Sequence, residues 1–344
     1  MILIYKCPNC GGNMKFNSDK QLLHCDYCGT ESKVEEVEVR EEEESRGTEE
    51  NLNTRLYECP SCGAEIITDE YTAATYCAYC GSATILRDRL SNSIKPNTII
   101  PFKYNREKAL SKIKKWCHNG LFTPSDFLSE NNIQKLSGIY VPFWLYDFDT
   151  NADIRANCTR VRVYRRGDRE YTETSHYLVE RNIDAEFNRI PYDSSIKMDD
   201  ELMDLLEPFD YKEIKEFDMG YLSGYMAEKF NYEKDYYLEK ARNEAKLDAK
   251  NLAMSTISGY SSVVVTSSVE QANLKRIEYC LLPVWIYRYV YNGETYTFAM
   301  NGQTGKVIGK PPVSKGKTIA IFLSIFIAVV LIMYIIFYIV GGLS

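Results

Sequence analysis

CPNCGGNMKFNSDKQLLHCDYC, residues 7–28, and CPSCGAEIITDEYTAATYCAYC, residues 59–80, are two versions of one pattern: Cys-x-x-Cys, fourteen residues, Cys-x-x-Cys. Four thiolates at this spacing suit a tetrahedral Zn(II), and a site closed by four protein ligands leaves no position for a substrate water. The pattern therefore predicts two structural zinc ribbons, each holding one ion: Cys7, Cys10, Cys25 and Cys28 in the first, Cys59, Cys62, Cys77 and Cys80 in the second. Gly11, Gly29, Gly63 and Gly81 each follow a cysteine pair, where a backbone with positive φ turns tightly around the sulfurs. Units this small do not fold without metal, and bound zinc contributes about 10 to 16 kcal/mol to such folds.

Eight of the 11 cysteines lie in these pairs. The start, MILIYK, is too short for a signal peptide, so the expected setting is a reducing compartment, where paired cysteines read as metal ligands rather than disulfides. A thioredoxin-like redox reading needs a Cys-x-x-Cys at a helix start in a βαβ unit, and no such pattern surrounds these pairs. Cys117, Cys158 and Cys280 read as buried small hydrophobes. His24 sits beside Cys25, but Tyr76 takes its place in the second unit, which favours an aromatic packing position over a ligand.

Charge narrows the partners. The net charge is -7, whereas phosphate binding depends on Lys and Arg displacing counterions, so nucleic acid is disfavoured. Residues 34–58 carry ten acidic side chains against three Arg, a like-charge run that reads as a solvated spacer. The expected division is ribbon 1 at 1–33, an acidic linker at 34–56, ribbon 2 at 57–90, a body at 97–310 and a membrane span at 318–340. Phe16, Leu22, Leu23, Ile66, Ile67 and Tyr71 are candidate partner anchors, since so small a domain cannot bury every apolar side chain.

Residues 319–340 contain no charge. As a helix they would extend about 33 Å, enough to cross a hydrocarbon core of about 30 Å. Lys306, Lys310, Lys315 and Lys317 precede the run and only GGLS follows it, so the positive-inside bias places the preceding chain in the cytoplasm, as a single-pass protein of the inner membrane. PPVSKGKT, just before the span, imitates a phosphate-binding loop, but Pro311 stands where the first glycine is required and no soluble helix follows. The sequon Asn157-Cys158-Thr159 is idle in a cytoplasmic body.

The body reads as α+β with antiparallel sheet. Helices are expected at 106–116, from Thr123 and Pro124, at 199–207 and at 233–257; strands at 139–149, 156–166, 174–184, 260–269 and 279–300. Asn292-Gly293 marks a two-residue hairpin, with Trp285, Tyr287, Tyr289 and Tyr291 alternating onto one face. Residues 141–146, VPFWLY, echo residues 282–287, LPVWIY, as two equivalent edge-entering strands of a duplicated subdomain would. The body has no Gly-x-Ser-x-Gly elbow and no His-Glu-x-x-His, and Asp199, Asp200 and Glu201 read as helix N-terminal charge; no enzyme and no small-molecule substrate is expected.

Together these features resemble the YdjG-like family of tail-anchored bacterial zinc-ribbon proteins, TFIIB-type in their ribbons and often labelled replication-restart helicases. The resemblance is carried by the eight knuckle cysteines, PFKYNREKAL at 101–110, GYLSGYMAEKF at 220–230, the 282–310 hairpin and the terminal span. It implies a membrane anchor that works with a second membrane protein, an SPFH-domain protein and a phage-shock-type envelope-stress protein. No catalytic or cofactor-binding residue carries over. The expected function is a scaffold recruiting cytoplasmic proteins to the inner face of the membrane. The alternatives are a membrane-tethered nucleic-acid-binding or transcriptional regulatory protein and, third, a redox enzyme.

Overall fold

The computed structural model describes residues 2–37, 39–41, 54–59, 65–69, 71–77, 83–86, 95–124, 127, 136–198 and 200–341. In the cysteine-bearing part the strands are β1 (Ile2–Tyr5), β2 (Met14–Asn17), β3 (Leu22–Cys25), β4 (Glu31–Ser32), β5 (Val39–Glu41), β6 (Thr54–Glu58), β7 (Glu65–Asp69), β8 (Thr72–Tyr76) and β9 (Ala83–Leu86). The body continues with β10 (Thr98–Ile99), α1 (Arg106–His118), β11 (Leu136–Arg166), β12 (Arg169–Asp193), α2 (Asp200–Leu206), β13 (Lys215–Glu216), β14 (Met226–Glu228) and α3 (Leu238–Ser255). It closes with β15 (Ser262–Tyr291), β16 (Glu294–Asn301), β17 (Val307–Gly309) and α4 (Lys315–Gly341).

Three strands dominate: β11 with 31 residues, β12 with 25 and β15 with 30. The sequence pattern read β11 and β15 as two strands each, because the polar stretch 149–156 and the charged stretch 270–278 interrupt the apolar signal. Neither stretch contains Gly or Pro, so nothing in the backbone ends the strand. β11 lies between β12 and β15, antiparallel to both. At about 3.3 Å per residue β11 is about 100 Å long. Its C-terminal half forms, with β12 and the first half of β15, a three-stranded blade projecting from the body. The blade turns at Gly167, whose φ is +64°.

One face of the blade is covered by α3. Ala241, Ala245, Ala249 and Ala253 recur every fourth residue, all fully buried, so the small-residue stripe lets the helix lie close on the strands. Beneath its second half are Ala152, Ile154, Ala156 and Cys158 of β11 and Val179 of β12. The opposite face is open to solvent, which gives β11 its alternation of buried and exposed residues from Ala152 to Cys158; from Arg160 to Arg166 both faces are exposed.

The echoed segments are the centre of the sheet, not its edge. Val141 faces Leu282 directly, and around this pair everything repeats. Ile139 and Tyr140 pair in parallel with Met226 and Ala227, as Cys280 and Leu281 do with Thr98 and Ile99. Trp144 pairs with Tyr192 and Trp285 with Met300. The Ser194 N–H donates to Pro142 O at 2.9 Å, and the Gly302 N–H to Pro283 O at 2.8 Å. Strand, helix and two further strands, β10-α1-β11-β12 and β14-α3-β15-β16, are thus two copies of one unit related by a pseudo-two-fold axis, with β16 much shorter than its mate β12. Each short strand runs beside the other copy's long strand, and these two parallel pairings make the sheet mixed where antiparallel pairing was expected. Side-chain periodicity is the same in both directions, so the pattern could not distinguish them.

The expected hairpin turn is present, with φ of +51° at Asn292 and +82° at Gly293. Tyr287, Tyr289 and Tyr291 stack in a ladder with centroids 6.1 and 6.4 Å apart. The helix expected from Thr123 and Pro124 falls mostly outside the described residues. At the end of the chain α4 is long and apolar enough to cross a membrane over Lys315–Tyr338, with none of that stretch buried. Its base is tied to the body: the Ser314 N–H donates to Phe122 O at 2.7 Å and Lys317 Nζ to Thr123 O at 2.6 Å.

Candidate metal centre

The first cysteine unit is built from two identical turns. In each, a glycine N–H donates back to the first cysteine's carbonyl: Gly11 to Cys7 O and Gly29 to Cys25 O, both at 2.9 Å. φ is +71° at Gly11 and +75° at Gly29, a left-handed conformation that favours glycine. The two turns bring Cys7, Cys10, Cys25 and Cys28 together with their ligand atoms all within 4.8 Å of one another. The Sγ atoms of Cys7 and Cys28 are 3.6 Å apart, as are those of Cys10 and Cys25. Thiolates about 2.3 Å from a tetrahedral zinc ion would stand about 3.8 Å apart, so the four sulfurs fit such an ion closely.

Three further observations fit a thiolate site. The Thr30 hydroxyl is 3.0 Å from Cys28 Sγ, a hydrogen bond that favours a thiolate there. A Cβ on Gly12 would lie 3.3 Å from Cys10 Sγ and 3.4 Å from Cys25 Sγ, so this glycine, which sequence reading missed, keeps space beside the sulfurs. His24 stands apart from the cluster, with Nδ1 3.5 Å from Glu31 Oε1, in keeping with a packing position.

The unit is not a free bead on a spacer. The Phe16 N–H donates to Ser223 O and Ser223 Oγ donates to Met14 O, both at 2.7 Å. Gln21 Nε2 donates to Phe102 O at 2.8 Å, and Lys108 pairs with Asp19 at 2.8 Å. Phe16 meets Tyr221 edge-on at 5.1 Å. Tyr5, Cys7, Met14, Phe16, Leu23 and Cys25 belong to one apolar core with Tyr221, Leu222 and Tyr225. The 220–225 segment, GYLSGY, is thus the clamp that receives the cysteine unit. The acidic run expected to be a solvated linker begins inside this contact: Val34–Glu36 form a 3-10 turn with Val34 buried, and β5 pairs with β1. Residues 42–53 lie outside the described residues.

This docking corrects the expected partner anchors. Phe16, Leu23 and Ile66 are buried, and Leu22 and Tyr71 are half-buried; the side chain of Ile67 is outside the described set. The exposed aromatic of the first unit is Tyr27, 91% accessible in the turn between Cys25 and Cys28. In the second unit Cys59 and Cys77 are buried beside Ile66, while Cys62, Cys80, Gly63 and Gly81 lie outside the described residues. Among the described residues one four-cysteine set is assembled. Cys117, Cys158 and Cys280 are buried, and burial pushes the Cys117 and Cys280 thiols up to about 12, which disfavours their thiolate forms.

Over 325 residues the chain is 42% identical to the protein named uncharacterized protein YdjG of Bacillus subtilis (strain 168), covering 94% of each chain. The chain belongs to the YdjG family. No family model matches it, and no solved structure matches it. The match of this YdjG-family chain extends over most of its length and is not confined to the cysteine units.

Proposed function

We propose that this YdjG-family protein is a tail-anchored zinc-ribbon scaffold, facing the cytoplasm, that recruits cytoplasmic proteins to the inner membrane. Cys7, Cys10, Cys25 and Cys28 hold one structural zinc, and Cys59, Cys62, Cys77 and Cys80 a second. The observation that carries the reading is the combination of a four-thiol site, whose geometry suits a closed structural ion, with an exposed apolar helix tied at its base to the body. An anchor with a metal-stiffened head is the arrangement a recruiting protein needs, and an SPFH-domain protein and a phage-shock-type stress protein are the proposed partners in an envelope-stress response. Tyr27, exposed at the metal turn, is the proposed contact, since aromatic side chains at the centre of an interface usually carry much of its affinity. Tyr27→Asp should abolish co-localisation of the cytoplasmic partner with the membrane while zinc content and membrane insertion stay normal. Retained co-localisation would move recruitment to the body or the blade.

A second reading, membrane-tethered nucleic-acid binding, draws on Arg160, Arg162, Arg165, Arg166 and Arg169 at the blade tip. Asp168, Glu170 and Glu173 share that tip, and Arg165 is paired with Glu170 at 3.3 Å. A steep fall of DNA affinity with salt, lost on changing these arginines, would favour it over the scaffold.

A further inference from the structure

The two duplicated helices end differently. Just beyond α3, Ile257 is buried in the core that the helix shares with the blade. Its counterpart α1 ends on a turn that faces outward. The Thr123 N–H donates to Gly120 O at 3.1 Å, so Leu121 and Phe122 are the two central residues of a β-turn, positions that ordinarily go to Gly, Pro, Asn, Asp or Ser. The turn is tight: a Cβ on Gly120 would lie 2.3 Å from Thr123 Oγ1, and Thr123 itself is buried. It holds an apolar pair at its tip, with Leu121 74% and Phe122 41% exposed.

The place of this turn says what covers it. Phe122 O accepts from the Ser314 N–H and Thr123 O from Lys317 Nζ, so the turn sits beside the first residues of α4, and the uncharged run begins at Thr318. Val313, also exposed, adjoins it. These apolar side chains therefore stand at the level where α4 would enter a bilayer, and they continue its lipid-facing surface. Positive charge surrounds them. Lys114 and Lys115 lie at the end of α1, Lys310 and Lys315 on the approach to α4, and among the described residues none of the four is ion-paired. On the neighbouring hairpin the Glu294 carboxylate accepts from the Tyr296 hydroxyl at 2.8 Å. The α1 dipole would account for lysines at its C-terminus, but neither the dipole nor packing accounts for an apolar pair at a turn tip. Leu and Phe flanked by lysines suit the surface of an anionic bilayer: the apolar side chains enter the boundary between headgroups and acyl chains, and the ammonium groups meet phosphate.

We propose that the end of α1 is a second membrane contact of this protein, with Leu121 and Phe122 inserted beside α4 and Lys114 and Lys115 selecting anionic phospholipid. This rests on the membrane-anchor reading, and the test separates the two. Full-length protein with a fluorophore at Leu121→Cys, or at Val330→Cys within α4, is placed in nanodiscs of phosphatidylcholine and phosphatidylglycerol, with a nitroxide on the acyl chain of one lipid or the other and the unsubstituted chain as labelling blank. Both lipids should quench the 330 label equally. They should both quench the 121 label, phosphatidylglycerol more strongly, reporting a local enrichment of about fivefold, the worth of one lysine near an anionic surface. Lys114→Glu/Lys115→Glu should abolish this preference while thermal unfolding is unchanged. Quenching at 330 with none at 121 would overturn the proposal, leave the anchor standing and give the exposed turn to a protein partner. No quenching at either position would overturn the anchor reading as well. Equal quenching of the 121 label by the two lipids, or a preference that survives in the double variant, would overturn the selection of anionic lipid by Lys114 and Lys115.

Discussion

Trp144 and Trp285 are mates across the pseudo-two-fold axis, and each uses its indole in the same way. Trp144 Nε1 donates to Tyr232 O at 2.8 Å, and Trp285 Nε1 donates to Tyr104 O at 3.0 Å. In both, the carbonyl lies just beyond the short strand that entered from the other repeat, so each tryptophan pins the two copies together. Trp285→Phe should remove the bond to Tyr104 O at a cost of about 1 to 3 kcal/mol, and Trp144→Phe should cost less, because Tyr232 O still accepts from Ser194 Oγ at 2.7 Å. Urea unfolding of the full-length protein in micelles checks this. A cost at Trp144 as large as that at Trp285 would mean that the Ser194 hydroxyl does not compensate.

Much of this was written in the sequence, and what was missed has a physical reason. VPFWLY and LPVWIY disclosed the duplication, and the Cys-x-x-Cys-Gly turns disclosed the site, because both depend on local residue types. The placement of Phe16 against Tyr221 depends on residues about 200 positions apart, and no local pattern records it; hence buried clamp residues were read as partner anchors. The continuity of β11 and β15 was hidden for another reason. A blade with an open face carries polar residues along its strands, and those break the apolar signal without breaking the backbone.

The clamp changes what metal removal should do. A unit free on a spacer would unfold alone, whereas Met14, Phe16 and Leu23 share a core with Tyr221 and Leu222. Chelation, or Cys10→Ser, should therefore lower the unfolding temperature of the body as well as release zinc. Elemental analysis should find two zinc ions per chain in the wild type and one in Cys10→Ser. Iron, or zinc loss with no change in body stability, would contradict this assignment.

The packing of α3 sets a limit on side-chain size. Ala245 and Ala249 are fully buried at the helix–blade contact, so Ala245→Leu or Ala249→Leu should force the helix outward at about 1 to 3 kcal/mol each. Leu247 and Leu252, on the exposed side of the same helix, should tolerate Gln with little change. Equal tolerance on both faces, measured by thermal unfolding, would show that α3 does not rest on the strands.

Alkaline sensitivity follows from the buried acids. Burial raises Cys117 and Cys280 from 9.0 to about 12, and Tyr287 from 10.0 to about 12, also through burial. Since the unfolded chain loses these protons first, their contribution is fully present below about pH 9 and declines as pH rises toward 12. Unfolding temperatures from pH 8 to 11 should fall, and Cys117→Ala/Cys280→Ala should flatten that fall. A double variant with the wild-type slope would place the sensitivity in other groups.

The last prediction concerns α4. Its apolar stretch makes no burying contact with the body, so nothing in the soluble part needs it, while the Ser314 and Lys317 bonds to Phe122 and Thr123 hold its base. Ending the chain after Ser314 should leave a folded protein in the soluble fraction, because among the described residues no other helix is long and apolar enough to cross a membrane. The base contacts also fix where the chain meets the bilayer. α1 and the β15–β16 hairpin lie at that end, since Phe127 packs against Tyr289, Tyr291 and Tyr296, and Arg166 lies at the far end of β11. The blade tip should then stand well away from the lipid, at a distance comparable to its own length. Spin labels at Gly167→Cys and Ser314→Cys in nanodiscs, read by relaxation from lipid-bound paramagnets, should report strong contact at 314 and none at 167. Contact at 167 would mean that the blade folds back onto the membrane, and the tip arginines would then have to be reassigned to lipid headgroups.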